Sequence, residues 1–195
     1  VLVTLKANQI YKSAILKEPV YLQHKTLVEQ SKKGDRKAQF ALYHQYVDAM
    51  FQISLRMLNN RADAEDILQE SFVKAFKNLK QFKYESSFGA WLKKIVINNC
   101  INHLKKRKLN WIAIEDAQFD VSEETAENNQ YQLPKIEQVK ETIKQLPDGF
   151  RVVLTLYLFE GYDHKEISQI LNISESTSKT QYYRAKNKLR QLIKV

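Results

Sequence analysis

The stretch Asp163-His-Lys-Glu-Ile-Ser-Gln-Ile-Leu-Asn-Ile-Ser-Glu-Ser-Thr-Ser-Lys-Thr-Gln-Tyr-Tyr-Arg-Ala-Lys186 decides the fold of the last third of the chain. Asp163 can accept a backbone hydrogen bond at a helix start, and Glu166, three residues on, can return one, which is a capping box. Ile167, Ile170 and Leu171 form one apolar stripe. Asn172 ends that helix, Ile173 is placed to plug the core, and Ser174 is placed to cap the next helix. From there Ser178, Tyr182, Ala185 and Leu189 share one face at helical spacing. The pattern predicts two short helices meeting at a tight turn. The opposite face of the second helix presents Ser176, Lys179, Thr180, Tyr183, Arg184 and Asn187. In a helix–turn–helix the second helix enters the major groove, and residues near its N-terminus reach base edges. Arg and Lys favour guanine, Gln favours adenine, and Thr is permissive. Arg184, Lys186, Lys188 and Arg190 lie further along, where cations hold phosphates and set position rather than sequence. Two amphipathic helices with a merely solvated basic face give the same pattern. Charge favours the nucleic-acid reading, because Glu175 to Val195 holds six Lys or Arg and one Glu.

Composition narrows the rest. Four Gly and three Pro in 195 residues leave few natural breaks, and no alternating strand pattern of any length stands out. The chain is expected to be all-α. Its net charge of +9 suits an anionic partner such as nucleic acid. The single cysteine, Cys100, excludes an intrachain disulfide framework and lies in an apolar-spaced run, so a buried thiol is expected. The longest apolar runs fall well short of the ~20 residues that cross a bilayer. Val1 to Leu5 are too few for a secretory leader. A soluble, cytoplasmic chain without membrane insertion is the expectation.

Charge also divides the chain. Residues 1–108 hold 20 basic and 9 acidic side chains, residues 109–134 hold no basic and six acidic ones, and residues 135–195 hold 11 and 7. The middle stretch loses its hydrophobic period as well. The expected organisation is a leader over 1–24, a helical domain over 25–108, a flexible acidic linker over 109–132 and a second helical domain over 133–195. Such a linker spans up to roughly 90 Å extended and about 25–30 Å as a relaxed coil. Two domains so tethered can touch separate places on one long ligand.

Three helices are legible in the first domain. Leu42, Tyr46, Ala49, Ile53 and Met57 form one stripe, and Leu68, Phe72, Ala75, Phe76 and Leu79 a second. Phe88, Leu92, Val96, Cys100 and Leu104 form the third, widened by Trp91 and Ile95. The second helix opens on Asp63-Ala-Glu-Asp-Ile-Leu-Gln-Glu70, four acids in eight residues. For Asp63 and Glu65 the helix dipole is explanation enough. Asp66, Gln69 and Glu70 continue along a polar face that is either a docking stripe for a basic partner or a solvated face. The third helix carries Lys93, Lys94, Asn98, Asn99 and Asn102 and ends in Lys105-Lys106-Arg107-Lys108. Before it stands Phe82-Lys-Tyr-Glu-Ser86-Ser87-Phe88-Gly-Ala-Trp91. Aromatics, small hydroxyls and lysines together suit unstacked bases, which stack on rings while cations follow the backbone. Phe88 and Trp91 suit core anchors equally, and for Trp91 that is the preferred reading.

Four segments match one known family in order and spacing: Asp63-Ala-Glu-Asp-Ile-Leu-Gln-Glu-Ser-Phe, Ser86-Ser-Phe-Gly-Ala-Trp-Leu-Lys-Lys-Ile, Leu146-Pro-Asp-Gly-Phe-Arg, and the helix–turn–helix. Over residues 25–195 the chain resembles a bacterial RNA polymerase sigma factor of the extracytoplasmic-function group. The resemblance implies a region 2 helical bundle and a region 4 helix–turn–helix. It implies that Asp66, Gln69 and Glu70 dock on the clamp of the core polymerase. It implies that Ser86, Ser87, Phe88, Lys94, Asn98, Asn102, Lys105, Lys106 and Arg107 face the downstream promoter element, the 82–88 segment holding a base flipped from the non-template strand. Ser176, Lys179, Thr180, Gln181, Tyr183, Arg184 and Lys188 would face the upstream element. The linker would thread into the polymerase. An anti-sigma factor is a usual partner in the family. The chain departs from the family at Ser176, Gln181, Tyr84 and Glu85, and at Ser178, whose hydroxyl sits where a branched apolar residue is common. A recognition helix of marginal stability is therefore expected.

The resemblance predicts a promoter-specificity subunit with no catalytic activity and no cofactor. A stand-alone helix–turn–helix regulator is the alternative. A metal-dependent nuclease built on Asp63, Glu65 and Asp66 is disfavoured, since those acids follow helix-start logic and no His or distant acid stands at ligand spacing. No metal site is expected.

Overall fold

Helix ends, more than helix interiors, lay out this chain. The computed structural model describes residues 20–107 and 136–193. Among them are eight α-helices, one 3₁₀ turn and no strand, as the composition predicts. Helix α1, Val20–Lys32, stops where Gly34 takes a φ of +89°, a left-handed turn that glycine makes without strain. Asp35 then accepts hydrogen bonds from the N–H groups of Lys37 and Ala38 and so caps α2, Arg36–Leu58. Asn59, at φ +53°, breaks α2, and Asn60 Oδ1 accepts from the Asp63 N–H to start α3, Arg61–Lys77. The cap of this helix is therefore Asn60, three residues before its first acid. The 3₁₀ turn Leu79–Gln81 leads towards α4, Phe88–Lys106, whose cap is Ser87 Oγ accepting from the Ala90 N–H. Four more helices follow: α5 (Ile136–Lys144), α6 (Asp148–Leu158), α7 (His164–Leu171) and α8 (Glu175–Ile193).

α1 is the element that the sequence pattern missed. Its apolar positions are too sparse for a clear stripe, and the expected boundary at residue 24 falls inside it. In the expected stripes on α2 to α4, Phe88, Leu92, Val96, Cys100 and Leu104 are buried without exception, while Tyr46 and Phe76 are half-buried. Ala49 is exposed, and Met50 takes its place in the stripe, because the spacing Tyr46, Met50, Ile53, Met57 tracks the 3.6-residue turn more closely. The linker expected over 109–132 lies outside the described residues.

The chain divides into two units through which α2, α3 and α4 run: residues up to Met50 with Gln69–Ile95, and Phe51–Leu68 with Val96 onward. In the first unit the core is aromatic. Phe88 lies 5.3 Å from Tyr46, 6.0 Å from Phe82 and 5.8 Å from Trp91, ring centre to ring centre. Trp91 is thus part of the core, as preferred on the sequence. Gly89 is explained here: a Cβ would stand 2.8 Å from Tyr46 Cε1, and that ring is fixed by a 2.6 Å hydrogen bond between its hydroxyl and His24 Nε2.

In the second unit α6 is central, with every residue from Gly149 to Leu156 buried. Ile143, Leu146, Phe150, Leu154 and Ala185 form one cluster, with Val139, Tyr182 and Leu189 packed against it. Arg151 is buried among them at 3% exposure. Its guanidinium donates to Leu146 O at 2.7 Å, pairs with the Asp148 carboxylate, and reaches Met57 O at 3.4 Å. Arg56 pairs with Glu160 at 2.8 Å in the same unit, and Asn59 Nδ2 donates to Lys144 O at 2.8 Å.

Two outcomes check this packing. Arg151→Ala leaves the Asp148 charge and two carbonyls short of a donor, and should lower unfolding stability in urea by about 3 kcal/mol. Burial pushes the Cys100 thiol up to about 12, against a weaker opposing hydrogen bond from Ser54. The native protein should therefore resist a thiol reagent at neutral pH and react once unfolded.

Candidate nucleic-acid interface

The helix–turn–helix forms as its residues dictate. Asp163 Oδ1 accepts from the Glu166 N–H at 2.7 Å, and Glu166 Oε2 accepts from the Asp163 N–H at 2.9 Å, so both arms of the capping box are made. Asn172 closes α7 in the left-handed conformation at φ +57°. Ser174 Oγ accepts from the Thr177 N–H at 2.9 Å and caps α8. Ile167 and Leu171 are buried and hold α7 to the unit's interior.

The core side of α8 holds one surprise. Ser178 is fully buried, and its hydroxyl lies 3.0 Å from His164 Nδ1. The His164 ring stacks on Tyr157 at 4.6 Å with 18° between planes. A hydrogen-bonded serine and histidine thus occupy the junction of α7 and α8. The hydroxyl that was expected to weaken the helix is satisfied, and a paired buried polar group carries little of the penalty of an unpaired one.

The outward face of α8 carries Ser176, Lys179, Thr180 and Tyr183, all exposed, with Arg184 and Lys188 partly so. Lys179 pairs with Glu175 at 2.7 Å, and this bond with the lysine's charge holds the Glu175 carboxyl below its ordinary range. Gln181 does not join this face. It is only 4% exposed, and its Oε1 has no hydrogen-bond partner among the described residues. The reason is angular: Gln181 follows Ser178 by three residues and precedes Ala185 by four, and both are buried. Near-equal polarity of Gln181 and Thr180 hid that difference in the sequence.

On α4 and the segment before it the expected residues part company. Ser86, Lys94, Asn98, Asn102, Lys105 and Lys106 are exposed. Phe88 is buried at 2% exposure, so it supports the segment from beneath instead of offering a ring face. The Ser87 hydroxyl is engaged as the helix cap. Arg107 is exposed and pairs with Asp63 at 2.6 Å, which gives that acid an internal partner at the far end of α4. Two residues the sequence reading passed over as functional meet this segment from α1. Glu29 Oε1 accepts from the Tyr84 hydroxyl at 2.5 Å, and Lys32 Nζ donates to Phe82 O at 3.0 Å. Nothing in the sequence ties these residues, which stand 50 and 55 positions apart. On α3, Asp66, Gln69 and Glu70 are all exposed at helical spacing, with Ile67 and Leu68 buried on the other side.

An all-helical chain that ends in a doubly capped helix–turn–helix with a cationic outer face defines a DNA-binding protein. Comparison with known proteins narrows that class. Residues 42–109 match the model of Sigma-70 region 2, and residues 136–189 match that of Sigma-70 region 4. The RNA polymerase sigma-H factor of Pseudomonas aeruginosa is 31% identical over 174 residues, 84% of this chain and 90% of that protein. The ECF RNA polymerase sigma factor SigW of Bacillus subtilis is 30% identical over 180 residues, 87% and 96% of the two chains. In structure the chain is similar to the sigma factor RpoE of Bartonella quintana, solved with the anti-sigma factor NepR (TM-score 0.54, 21% identity, 80% and 96% covered). It is likewise similar to CnrH, solved with the cytosolic domain of CnrY (TM-score 0.52, 24% identity, 87% and 96% covered). The chain belongs to the extracytoplasmic-function sigma factors.

The burial of Gln181 has a direct consequence. Gln181→Met replaces a buried amide whose oxygen has no partner by an apolar side chain of similar shape, and should raise stability by up to about 1 kcal/mol. Affinity for an upstream promoter duplex should stay within about twofold, as an electrophoretic mobility assay would show, because the side chain does not reach the groove.

Proposed function

We propose that this chain loads onto core RNA polymerase through the acidic stripe of α3, reads an upstream promoter element with α8, and captures an unstacked base of the downstream element with the 82–88 segment and α4. The carrying observation is that outward faces of opposite sign occur in one chain. Asp66, Gln69 and Glu70 face outward on α3, and Lys179, Thr180 and Arg184 do so on α8. A stand-alone regulator needs only the second of these, and the match to region 2 disfavours that alternative.

The division of labour follows from charge and shape. Lys105, Lys106 and Lys188 hold phosphates and contribute affinity that falls with salt. Lys179 and Thr180 reach base edges near the start of α8, while Arg184, further along, holds a phosphate. Ser86, Asn98 and Asn102 offer hydrogen-bonding groups to an extruded base, whose removal from the stack costs a few kcal/mol. The tether between the modules lets both elements be held at once. The chain performs no catalysis in this reading; polymerase does the chemistry. An anti-sigma protein of the kind solved with the sigma factor RpoE would act by covering these faces. The protein would work in the cytoplasm. No described helix is long and apolar enough to cross a membrane.

The test is assembly. The purified chain should co-elute with core polymerase, and Glu70→Lys should weaken that association at least tenfold. With polymerase bound, Lys179→Ala should lose about 1–3 kcal/mol of upstream affinity and relax base preference there, whereas Arg184→Ala should weaken upstream binding without relaxing it. Lys105→Ala should weaken binding evenly across sequences and reduce the salt slope by about one. A chain that binds duplex promoters tightly without polymerase, or never joins it, would sink the proposal.

A further inference from the structure

Tyr84 stands in the middle of the segment assigned above to base capture, and its backbone is unusual. Its φ is +62°, in the left-handed region that a bulky side chain rarely enters. Such a conformation persists only where surrounding contacts hold it. Here they are specific. The Tyr84 hydroxyl donates to Glu29 Oε1 at 2.5 Å. The Lys32 ammonium sits 4.4 Å from the centre of the Tyr84 ring, 3.0 Å from the same Glu29 oxygen and 3.0 Å from Phe82 O. The Phe82 ring, buried beneath, is 4.7 Å from that of Tyr84. One end of the segment is thus tied to α1 through Lys32, the other is tied to α4 by Ser87 and the buried Phe88, and the tyrosine is pinned between. Lys83, Glu85 and Ser86 stay exposed.

We propose that Glu29 and Lys32 of α1 are positioning residues for base reading: by pinning Tyr84 they hold the 82–87 segment in one shape before DNA arrives, so discrimination at the opened element depends on α1. This rests on the base-capture reading of that segment. An exposed ion pair alone would be a weak brace. Lys32, however, is only 17% exposed and spends its other contact on a backbone carbonyl, so the cluster acts through geometry more than through charge attraction. Order fixed before binding is entropy not lost on binding. The hydrogen bonds from Tyr84 and then Lys32 hold the Glu29 carboxyl below its ordinary 4.5, so the brace is complete above that pH and is lost only as acid protonates the carboxylate.

The experiment uses the full chain bound to core polymerase and single-stranded oligonucleotides carrying the non-template downstream element, each base varied in turn. Tyr84→Phe and Glu29→Ala should each weaken the preferred oligonucleotide about tenfold, the scale of one hydrogen bond to a charged group, and flatten discrimination at one base position. Glu29→Gln keeps an acceptor and should restore most of both. The double variant should be no worse than either single one. Tyr84→Gly relieves the backbone, so it should lose discrimination without losing thermal stability. Polymerase affinity and upstream-duplex affinity should not change in any variant. Additive losses, intact discrimination, or an equal loss on every oligonucleotide and on the upstream duplex would overturn the proposal. A wild-type chain that captures no polymerase would overturn both readings; a working wild type with variants that discriminate as before overturns this one alone.

Discussion

The second unit turns on a single buried cation. Arg151 brings a permanent charge into a protein interior, where an unpaired guanidinium is costly enough to prevent folding. It is tolerated because its donors meet three helix ends that each lack partners. Leu146 O belongs to the turn after α5, Asp148 opens α6, and Met57 O lies in the last turn of α2. One side chain thus satisfies groups that helix geometry leaves open and ties the turn between α5 and α6 to the end of α2, 94 residues earlier in the chain. The helix–turn–helix is built on α6, so the orientation of the DNA-facing helix within its unit descends from this contact.

Polar groups recur at the places where function meets core. Ser178 and His164 form a hydrogen-bonded pair where α7 meets α8, and Tyr157 and Tyr182 enclose the histidine ring. Such a pair needs both partners in register, so it fixes the angle between the two helices more tightly than two apolar side chains would. Gln181 is the counter-example, a buried amide oxygen left without a partner one turn along the same helix. The first arrangement specifies geometry; the second only consumes stability.

The two faces assigned to partners follow the same logic of division. Acids that sit near helix ends are engaged inside the molecule, as Asp63 is by Arg107 and Glu160 by Arg56. Acids and cations on the outward faces are placed to meet large partners, and in the proposed reading their opposite signs keep polymerase and DNA from competing for one surface. The segment proposed to capture a base adds a different kind of control. Its outward residues Lys83, Glu85 and Ser86 are polar, while its shape is set from behind by α1, α4 and a buried aromatic layer.

By itself the sequence determined whatever depends on local chemistry. The capping box at Asp163 and Glu166, the left-handed turn at Asn172 and the Ser174 cap need only residues three or four apart, and all formed as their types require. The stripe on α4 was legible for the same reason, since a strong 3.6-residue period admits one face. Ala49 failed because Met50, one position on, continues the stripe at helical spacing, and α1 went unread because its apolar residues are too few to mark a face. Tertiary structure alone decided how groups distant in the chain satisfy one another. It buried Gln181 beside exposed Thr180, turned Phe88 inward, gave Ser87 to a helix cap and Arg107 to Asp63, and brought Glu29 and Lys32 against Tyr84. Hydrogen bonds and ion pairs between remote segments leave no periodic trace in a sequence, because their spacing is set by folding and not by the pitch of a helix.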